Sequence, residues 1–191
     1  MMSPSSEILL HSCCAPCALL PIDHFHKQKN NIALYWDNPF IHPLNEYLKR
    51  YGEVERLAGE KSLSLYVNQQ YDLQGFIEAA QKHPKPPERC YFCYQTRLHR
   101  TFQKALELSI PAVSTTLLIS PYQDHDYIRE TGKSMARDFD IHFYYLDQRN
   151  NYRDALNKAK EIQYYTQSYC GCILSEYERY EKKLVRLQDK T

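Results

Sequence analysis

The sequence has little glycine, almost no net charge and no long apolar run, and each absence excludes a class of protein. Only 5 of 191 residues are glycine, and neither the G-x-G-x-x-G dinucleotide fingerprint nor a P-loop occurs. Lys and Arg number 24 against 23 Asp and Glu, so the net charge of +1 does not indicate a strongly basic nucleic-acid binder. No stretch approaches the roughly 18 apolar residues of a membrane span. The first residues lack a basic segment followed by an apolar one, so we expect no secretory signal, no membrane partner and a cytoplasmic location.

What remains is a chain of ordinary globular composition in which apolar strand-like segments alternate with amphipathic ones. Strands are predicted over 7–11, 31–36, 63–67, 112–118 and 141–146, and helices over 18–28, 45–62, 72–82, 94–108, 124–138, 152–163 and 175–187. Leu48 and Leu106 are expected on buried helix faces. Regular alternation favours a parallel sheet with helices on both faces, in one α/β domain over residues 1–191. Ligands of such folds bind outside the carboxyl ends of the strands.

The 7 cysteines fall into three short groups instead of being scattered. They are C-C-A-P-C at 13–17, C-Y-F-C at 90–93 and C-G-C at 170–172. A disulfide framework fits poorly, because the number is odd, no secretion signal is visible and the chain is long enough to bury a core. A structural zinc site, an iron–sulfur centre and a thioredoxin-like pair at Cys14 and Cys17 remain open. Seven thiols exceed the ligands of one zinc ion, and the redox pair explains only two of them.

Five motifs together resemble the QueH-type epoxyqueuosine reductases, the cobalamin-independent enzymes of the last step of queuosine synthesis in tRNA. They are L-L-H-S-C-C-A-P-C (9–17), N-P-F-I-H-P (38–43), R-C-Y-F-C-Y-Q-T-R-L (89–98), T-T-L-L-I-S-P-Y-Q (115–123) and Y-C-G-C-I-L-S (169–175). The resemblance implies a Rossmann-like fold and a [4Fe–4S] cluster beside a mononuclear iron. It also implies that epoxyqueuosine in a tRNA anticodon loop is reduced by two electrons from a donor that the sequence does not identify.

The sequence departs from the family pattern at two positions. Phe40 stands where N-P-N-I-H-P would have Asn, and Cys17 stands where many members carry Asp. The change at Cys17 is chemically tolerable, because thiolate and carboxylate both bind iron.

On this resemblance, we divide the cysteines between two metal centres. Adjacent side chains of an extended loop point in opposite directions, so the two thiols of C-C, and likewise those of C-G-C, are expected to serve different metals. The C-x-x-C spacing lets both of its thiols reach one cluster. The residues assigned to the cluster are Cys13, Cys90, Cys93 and Cys170, and those assigned to the single iron are Cys14, Cys17 and Cys172. Exchange of Cys13 with Cys14, or of Cys170 with Cys172, stays open. The segment 164–191 is expected to complete this metal site and to add a helix.

Proton donors and RNA contacts are predicted from their position beside the motifs. The candidate proton donors are His11, Asp37, His42 and Tyr122, followed by Asp124 and His125. For each of them the alternative role is a hydrogen bond that shapes a loop, and for Asp124 it is a helix N-cap. RNA phosphates are held by basic side chains, and Arg97, Arg100 and Lys104 are predicted to bind the substrate. Their alternatives are a solvated helix face or, for Arg97, a salt bridge within the site.

Two functions of other classes remain open from the sequence. One is a zinc-bearing nucleic-acid-binding module without catalysis, and the other is a thiol-dependent sulfur-transfer or redox enzyme. Iron and sulfide content distinguishes them from the iron–sulfur reductase.

Overall fold

The computed structural model describes residues 7–188, in which a parallel sheet of 5 strands lies between two layers of helices. The strands are β1 (Glu7–His11), β2 (Asn31–Trp36), β3 (Ser64–Val67), β4 (Ala112–Thr115) and β5 (His142–Phe143). The helices are α1 (Ala15–Lys27), α2 (Leu44–Glu60), α3 (Leu73–Lys82), α4 (Glu88–Glu107), α5 (His125–Phe139), α6 (Tyr152–Glu161) and α7 (Ile173–Gln188). Short 3₁₀ helices cover Thr116–Ile119 and Arg149–Asn151. None of these helices is both long and apolar enough to cross a bilayer.

The strand order is β3-β2-β1-β4-β5, and every neighbouring pair is parallel. This order matches the first strands of the doubly wound dinucleotide-binding fold, although the glycine fingerprint of that fold is missing. The predicted parallel α/β fold is therefore confirmed.

Each face of the sheet has its own core. Ile8 and Leu10 of β1 pack under α1, α2 and α6, whereas Leu9, one residue out of phase, packs under α4 and α5. This alternation is the two-residue period of a strand, and both sets are apolar because both faces are covered by helices.

The carboxyl ends of the three central strands lie level with one another. His11 at the end of β1 pairs with Tyr35 of β2 and with Thr115 of β4. The loops that follow these strands therefore leave the sheet at one edge, and the C-C-A-P-C segment is the middle one.

The structure differs from the predicted elements at several boundaries. Helix α4 begins at Glu88, so the C-Y-F-C group lies inside the helix and not before it. Strand β4 ends at Thr115 because its side chain accepts a hydrogen bond from the amide of Leu117 and starts a 3₁₀ turn. Strand β5 has only 2 residues instead of 6. Leu48 and Leu106 are 52% and 58% exposed, so their expected burial is wrong.

Candidate metal centre

The three thiols of C-C-A-P-C converge where β1 turns into α1. The Sγ atoms of Cys13, Cys14 and Cys17 lie within 4.8 Å of one another, and all three residues are buried. Thiolates around one tetrahedral ion, each about 2.3 Å from it, need a spacing of this kind. The triad can therefore hold one ion and leave it a fourth position.

The expectation that neighbouring Cys13 and Cys14 point apart is wrong. Their Sγ atoms are 3.9 Å apart, because the chain bends at Cys13 and then enters α1. Cys14 is the N-cap of that helix, and Cys17 follows one turn later.

Two side chains hold the triad from opposite sides. Thr116 donates through Oγ1 to the Cys13 sulfur at 3.3 Å and accepts from the Cys13 amide at 3.1 Å. Gln167 donates through Nε2 to the Cys14 sulfur at 3.0 Å and reaches the Cys17 sulfur at 3.7 Å. Sequence reasoning missed both roles. Thr116 lies within the T-T-L-L motif, whereas Gln167 belongs to no motif.

The hydrogen bonds within the triad shift the pKa values of its three thiols in opposite directions. Hydrogen bonds from the thiols of Cys14 and Cys17, followed by the one from Thr116, hold the pKa of Cys13 well below its usual value. Burial, then the bond to Cys13, raises the pKa of Cys14, and the bonds to Cys13 and Cys14 raise that of Cys17. The triad therefore favours loss of the Cys13 proton before those of Cys14 and Cys17.

The other four cysteines form a second, wider group. Burial, with a contribution from Cys170, raises the pKa of Cys90 to about 11 and that of Cys93 to about 12. Cys172 also adds to both shifts, so the four sulfurs lie within electrostatic range of one another. Among residues 7–188, only the triad brings three or more ligand atoms within 4.8 Å of one another. The sulfurs of the second group are therefore farther apart than those of the triad.

Arg97 lies among these thiols. The spacing i, i+3, i+7 puts Cys90, Cys93 and Arg97 on one face of α4. Arg97 is 2% exposed, its Nε has no hydrogen-bond partner, and no carboxylate of the described chain forms an ion pair with it. Burial opposes its charge, and the fields of Cys93, Cys170 and Cys13 outweigh that opposition, so its pKa is raised.

An unpaired guanidinium in a protein interior costs several kcal/mol. The position of Arg97 therefore indicates an anionic centre built from the surrounding sulfurs, which is what a metal–thiolate site provides. The structure places Arg97 among the cysteines and in the cavity wall, so its predicted RNA contact would have to be made through the cavity.

One cavity of about 540 Å³ reaches both groups of cysteines. Cys13 and Cys17 line it on the triad side, and Cys170 lines it on the other, with Arg97 in the wall. The aromatic residues of its lining are Tyr122, Tyr152 and Tyr169.

Arg50 anchors the C-G-C segment. Its buried guanidinium donates to the carbonyl oxygens of Cys170 at 2.8 Å and Tyr169 at 3.1 Å and pairs with Glu46 at 2.7 Å. Gly171 has φ +153, and a Cβ there would lie 3.2 Å from Ile41. The segment thus requires glycine between its two cysteines.

His11 and Asp37, both predicted as proton donors, are buried behind the strand ends. The ring of His11 is hydrogen-bonded to Thr115 Oγ1 at 2.9 Å and to the Asp37 carbonyl at 3.3 Å, and burial lowers its pKa to about 4. The Asp37 carboxylate forms an ion pair with Arg100 at 3.1 Å and accepts from Tyr35 and Asn68. Neither residue lines the cysteine cavity.

Of the other predicted proton donors, three are buried or cap a helix, and one lies at the cavity. His42 is buried against Phe76, burial lowers its pKa to about 4, and neither ring nitrogen has a hydrogen-bond partner. Asp124 caps α5 by accepting from the Tyr127 amide at 3.0 Å, and the His125 ring contacts the Ser120 carbonyl at 3.1 Å. Of the six candidates, Tyr122 alone lines the cavity, with 81% of its surface exposed.

Arg100 and Lys104, both predicted to bind substrate, lie elsewhere. They line a separate cavity of about 390 Å³, where Lys104 pairs with Glu107 at 2.9 Å. The structure does not bring them to the cysteines.

Comparison with known proteins gives consistent matches over most of the chain. A protein-family model described as Epoxyqueuosine reductase QueH matches residues 8–178. A protein of that name from Dehalococcoides mccartyi is 31% identical over 176 residues, covering 92% of this chain and 96% of the relative. One from Thermotoga maritima is 33% identical over 182 residues, covering 92% and 93%. Among solved structures, a predicted subunit of tRNA methyltransferase from Methanocaldococcus jannaschii has a TM-score of 0.58 and 15% identity, and covers 82% of this chain and 75% of its own. That likeness concerns the fold alone.

Proposed function

The chain belongs to the epoxyqueuosine reductase QueH family of oxidoreductases, and we propose that it deoxygenates epoxyqueuosine in tRNA to queuosine. The observation that carries this proposal is the single cavity onto which both cysteine groups open. Its volume is that of a small-molecule site, so one base with its epoxide-bearing substituent fits there.

Aromatic side chains at the cavity suit a base that has been splayed out of an RNA loop. The rings of Tyr122 and Tyr152 meet edge to face with centroids 5.9 Å apart. Recognition of single-stranded RNA relies on stacking of unpaired bases against such rings. We propose that the base stacks on the ring of Tyr152, with Tyr122 beside it.

The donor set fits an iron–sulfur site with an additional iron. All 7 cysteines are free thiols. The triad of Cys13, Cys14 and Cys17 has the spacing for one ion, and the wider second group suits a [4Fe–4S] cluster, which takes four thiolates. This grouping differs from the partition predicted from the sequence at Cys13 and Cys172. When bound, such a centre supplies single electrons and an iron with a position open to the epoxide oxygen.

The protein's own residues supply the rest of the chemistry. The reaction consumes two electrons and two protons and releases the epoxide oxygen as water, so the electrons must come from a separate donor. Tyr122 is the proposed proton donor, because it lines the cavity. His11 and Asp37 hold the ends of β1, β2 and β4 in register. We also propose that the chain forms a single α/β domain whose C-terminal segment completes the site through Gln167, Cys170 and Cys172.

The test is nucleoside analysis of epoxyqueuosine-bearing tRNA after anaerobic incubation with reconstituted, chemically reduced protein. We expect queuosine to replace epoxyqueuosine, and no conversion by metal-free protein or by Cys14→Ser. A protein that carries iron and sulfide, binds tRNA and leaves epoxyqueuosine unchanged would overturn the proposal. A colourless protein with one zinc would favour the nucleic-acid-binding module, and a thiolated nucleoside product would favour sulfur transfer.

A further inference from the structure

Helix α7 carries four cations on one face beside the cysteine cavity. Their spacing of i, i+3, i+4 and i+7 confines them to an arc of about 100° around the helix. The residues of this stripe are Arg179, Lys182, Lys183 and Arg186. All four are exposed, and Arg179 also lines the cavity.

The cations of the α7 stripe have no acidic partner among residues 7–188. Of the acids on the same helix, Glu176 borders the stripe one turn before Arg179 without forming an ion pair with it, and the other two are engaged elsewhere. Glu178 binds Arg89 at 2.8 Å, and Glu181 accepts from the Tyr177 hydroxyl at 3.3 Å. Lys183 lies 4.8 Å from the Tyr180 ring centroid, a contact that does not neutralise its charge. Within residues 7–188 the stripe therefore presents four exposed cations to solvent, none of them held in an ion pair.

The position of the stripe relative to the cavity is fixed by contacts near the start of α7. The ion pair between Glu178 and the buried Arg89 ties α7 to the first turn of α4. Ser175 accepts from the Gly171 amide at 3.3 Å and donates to the Cys172 carbonyl at 2.7 Å. From Arg179 to Arg186 the helix rises about 10 Å, comparable with the span of about three phosphates of one strand.

Resting on the proposed function, we infer that the α7 stripe binds the backbone phosphates of the tRNA strand that leads away from the cavity. The net charge of +1 gives the protein no general attraction for RNA, so attraction must come from a local patch. Arg100 and Lys104, the cations predicted from the sequence for this role, are instead engaged by Asp37 and Glu107. The cations of the stripe form no ion pair within residues 7–188, and the stripe begins at the cavity wall with Arg179.

The test compares three metal-loaded proteins in tRNA filter binding at several salt concentrations. They are the wild type, the stripe variant Lys182→Ala/Lys183→Ala/Arg186→Ala and the control variant Lys27→Ala/Lys82→Ala/Arg137→Ala. The control removes the same charge from scattered exposed positions on α1, α3 and α5 that form no ion pair with an acid of the described chain. Arg179 is left intact because it lines the cavity.

The stripe variant is expected to bind tRNA about 10- to 100-fold more weakly at physiological salt. Its slope of log affinity against log salt is expected to be shallower by about 2, since each lost contact to a single strand removes about 0.7. The control is expected to keep the wild-type affinity and slope. Turnover of the free epoxyqueuosine nucleoside should be equal in all three, because the stripe lies outside the cavity.

Unchanged affinity and slope in the stripe variant would overturn the inference. It would also be overturned if only Arg100→Ala/Lys104→Ala weakened binding. Unchanged tRNA binding with slower reduction by an acidic electron-carrier protein would assign the stripe to that protein and overturn the inference as well. The proposed function is judged separately, by whether the wild type converts epoxyqueuosine with a chemical reductant.

Discussion

Replacing Arg97 with methionine is expected to destabilise the metal-loaded protein far more than the metal-free one. The side chain is buried, and no carboxylate in the described structure pairs with it, so its partners are sulfurs. In the metal-free protein most of these sulfurs are protonated, because burial raises the pKa of Cys93 to about 12 and also raises that of Cys170. Metal binding removes those protons and turns Arg97 into one partner of a buried ion pair.

The expected magnitude follows from this change of partners. Removing one member of a buried ion pair costs about 3–5 kcal/mol, whereas exchanging a poorly compensated buried charge for an apolar side chain is nearly neutral or stabilising. For a chain of this length, about 1 kcal/mol shifts Tm by roughly 2–4 °C. We therefore expect the metal-loaded Tm to fall by about 6–20 °C and the metal-free Tm to change by less than about 4 °C.

The assay is thermal unfolding by circular dichroism under anaerobic conditions, with and without metal. Arg97→Lys keeps the charge, and Arg137→Met removes an exposed arginine of α5 as a control. Redox titration gives a second readout: losing the positive charge should lower the reduction potential of the centre in the methionine variant and leave it nearly unchanged in the lysine variant. Equal losses of stability in both metal states, together with an unchanged potential, would refute the electrostatic argument and leave Arg97 as a packing residue.

Three further predictions concern the metal content, the triad and the buried aspartate. Anaerobically reconstituted protein should contain about five irons and four sulfides per chain by elemental and sulfide analysis, and one zinc without sulfide would exclude the iron–sulfur assignment. Cys17→Asp should keep the visible absorption of the cluster and its sulfide, because carboxylate is a competent iron ligand, and loss of both would place Cys17 among the cluster ligands. Arg100→Ala should lower the free energy of unfolding by about 2–3 kcal/mol in a urea titration, because Asp37 is fully buried and loses its cation, and Arg100→Lys should recover part of the loss.

The central strands and the general place of the site could be predicted from the sequence. The bounds of β1 and β2 agree with prediction because each is a short apolar run between polar residues or turns. Parallel strands bring their carboxyl ends to one edge, so the C-C-A-P-C loop had to lie beside the T-T-L-L-I-S loop. The predicted length of β5 was too great. The Tyr144 amide still donates to the Val113 carbonyl of β4 at 2.9 Å, but the residues after Tyr144 leave the sheet.

The geometry of the thiols depends on where two helices begin, and the sequence pattern does not fix that. Taken as an extended loop, Cys13 and Cys14 should point apart, but entry into α1 turns both sulfurs to one side. The sequence predicted C-Y-F-C as a loop before a helix, and in a loop the positions of its cysteines relative to Arg97 are not fixed. Once α4 begins at Glu88, the spacing of Cys90, Cys93 and Arg97 becomes one helix face aimed at the site.

The positions of two buried arginines explain how seven cysteines can share one interior. Deprotonated thiols in a protein interior repel one another and raise each other's pKa, so a positive side chain beside them stabilises a metal-loaded site. Arg50 lies in the field of Cys14 and Cys13, and Arg97 lies in the field of Cys93, Cys170 and Cys13. Each group of thiols therefore has its own guanidinium, and Cys13, with its depressed pKa, is influenced by both. Arg50 is held by Glu46 and also carries the C-G-C segment, so it serves as a fixed support. Among residues 7–188 no carboxylate pairs with Arg97, so with metal bound the stability of the fold is expected to depend, through this residue, on the charge of the surrounding sulfurs.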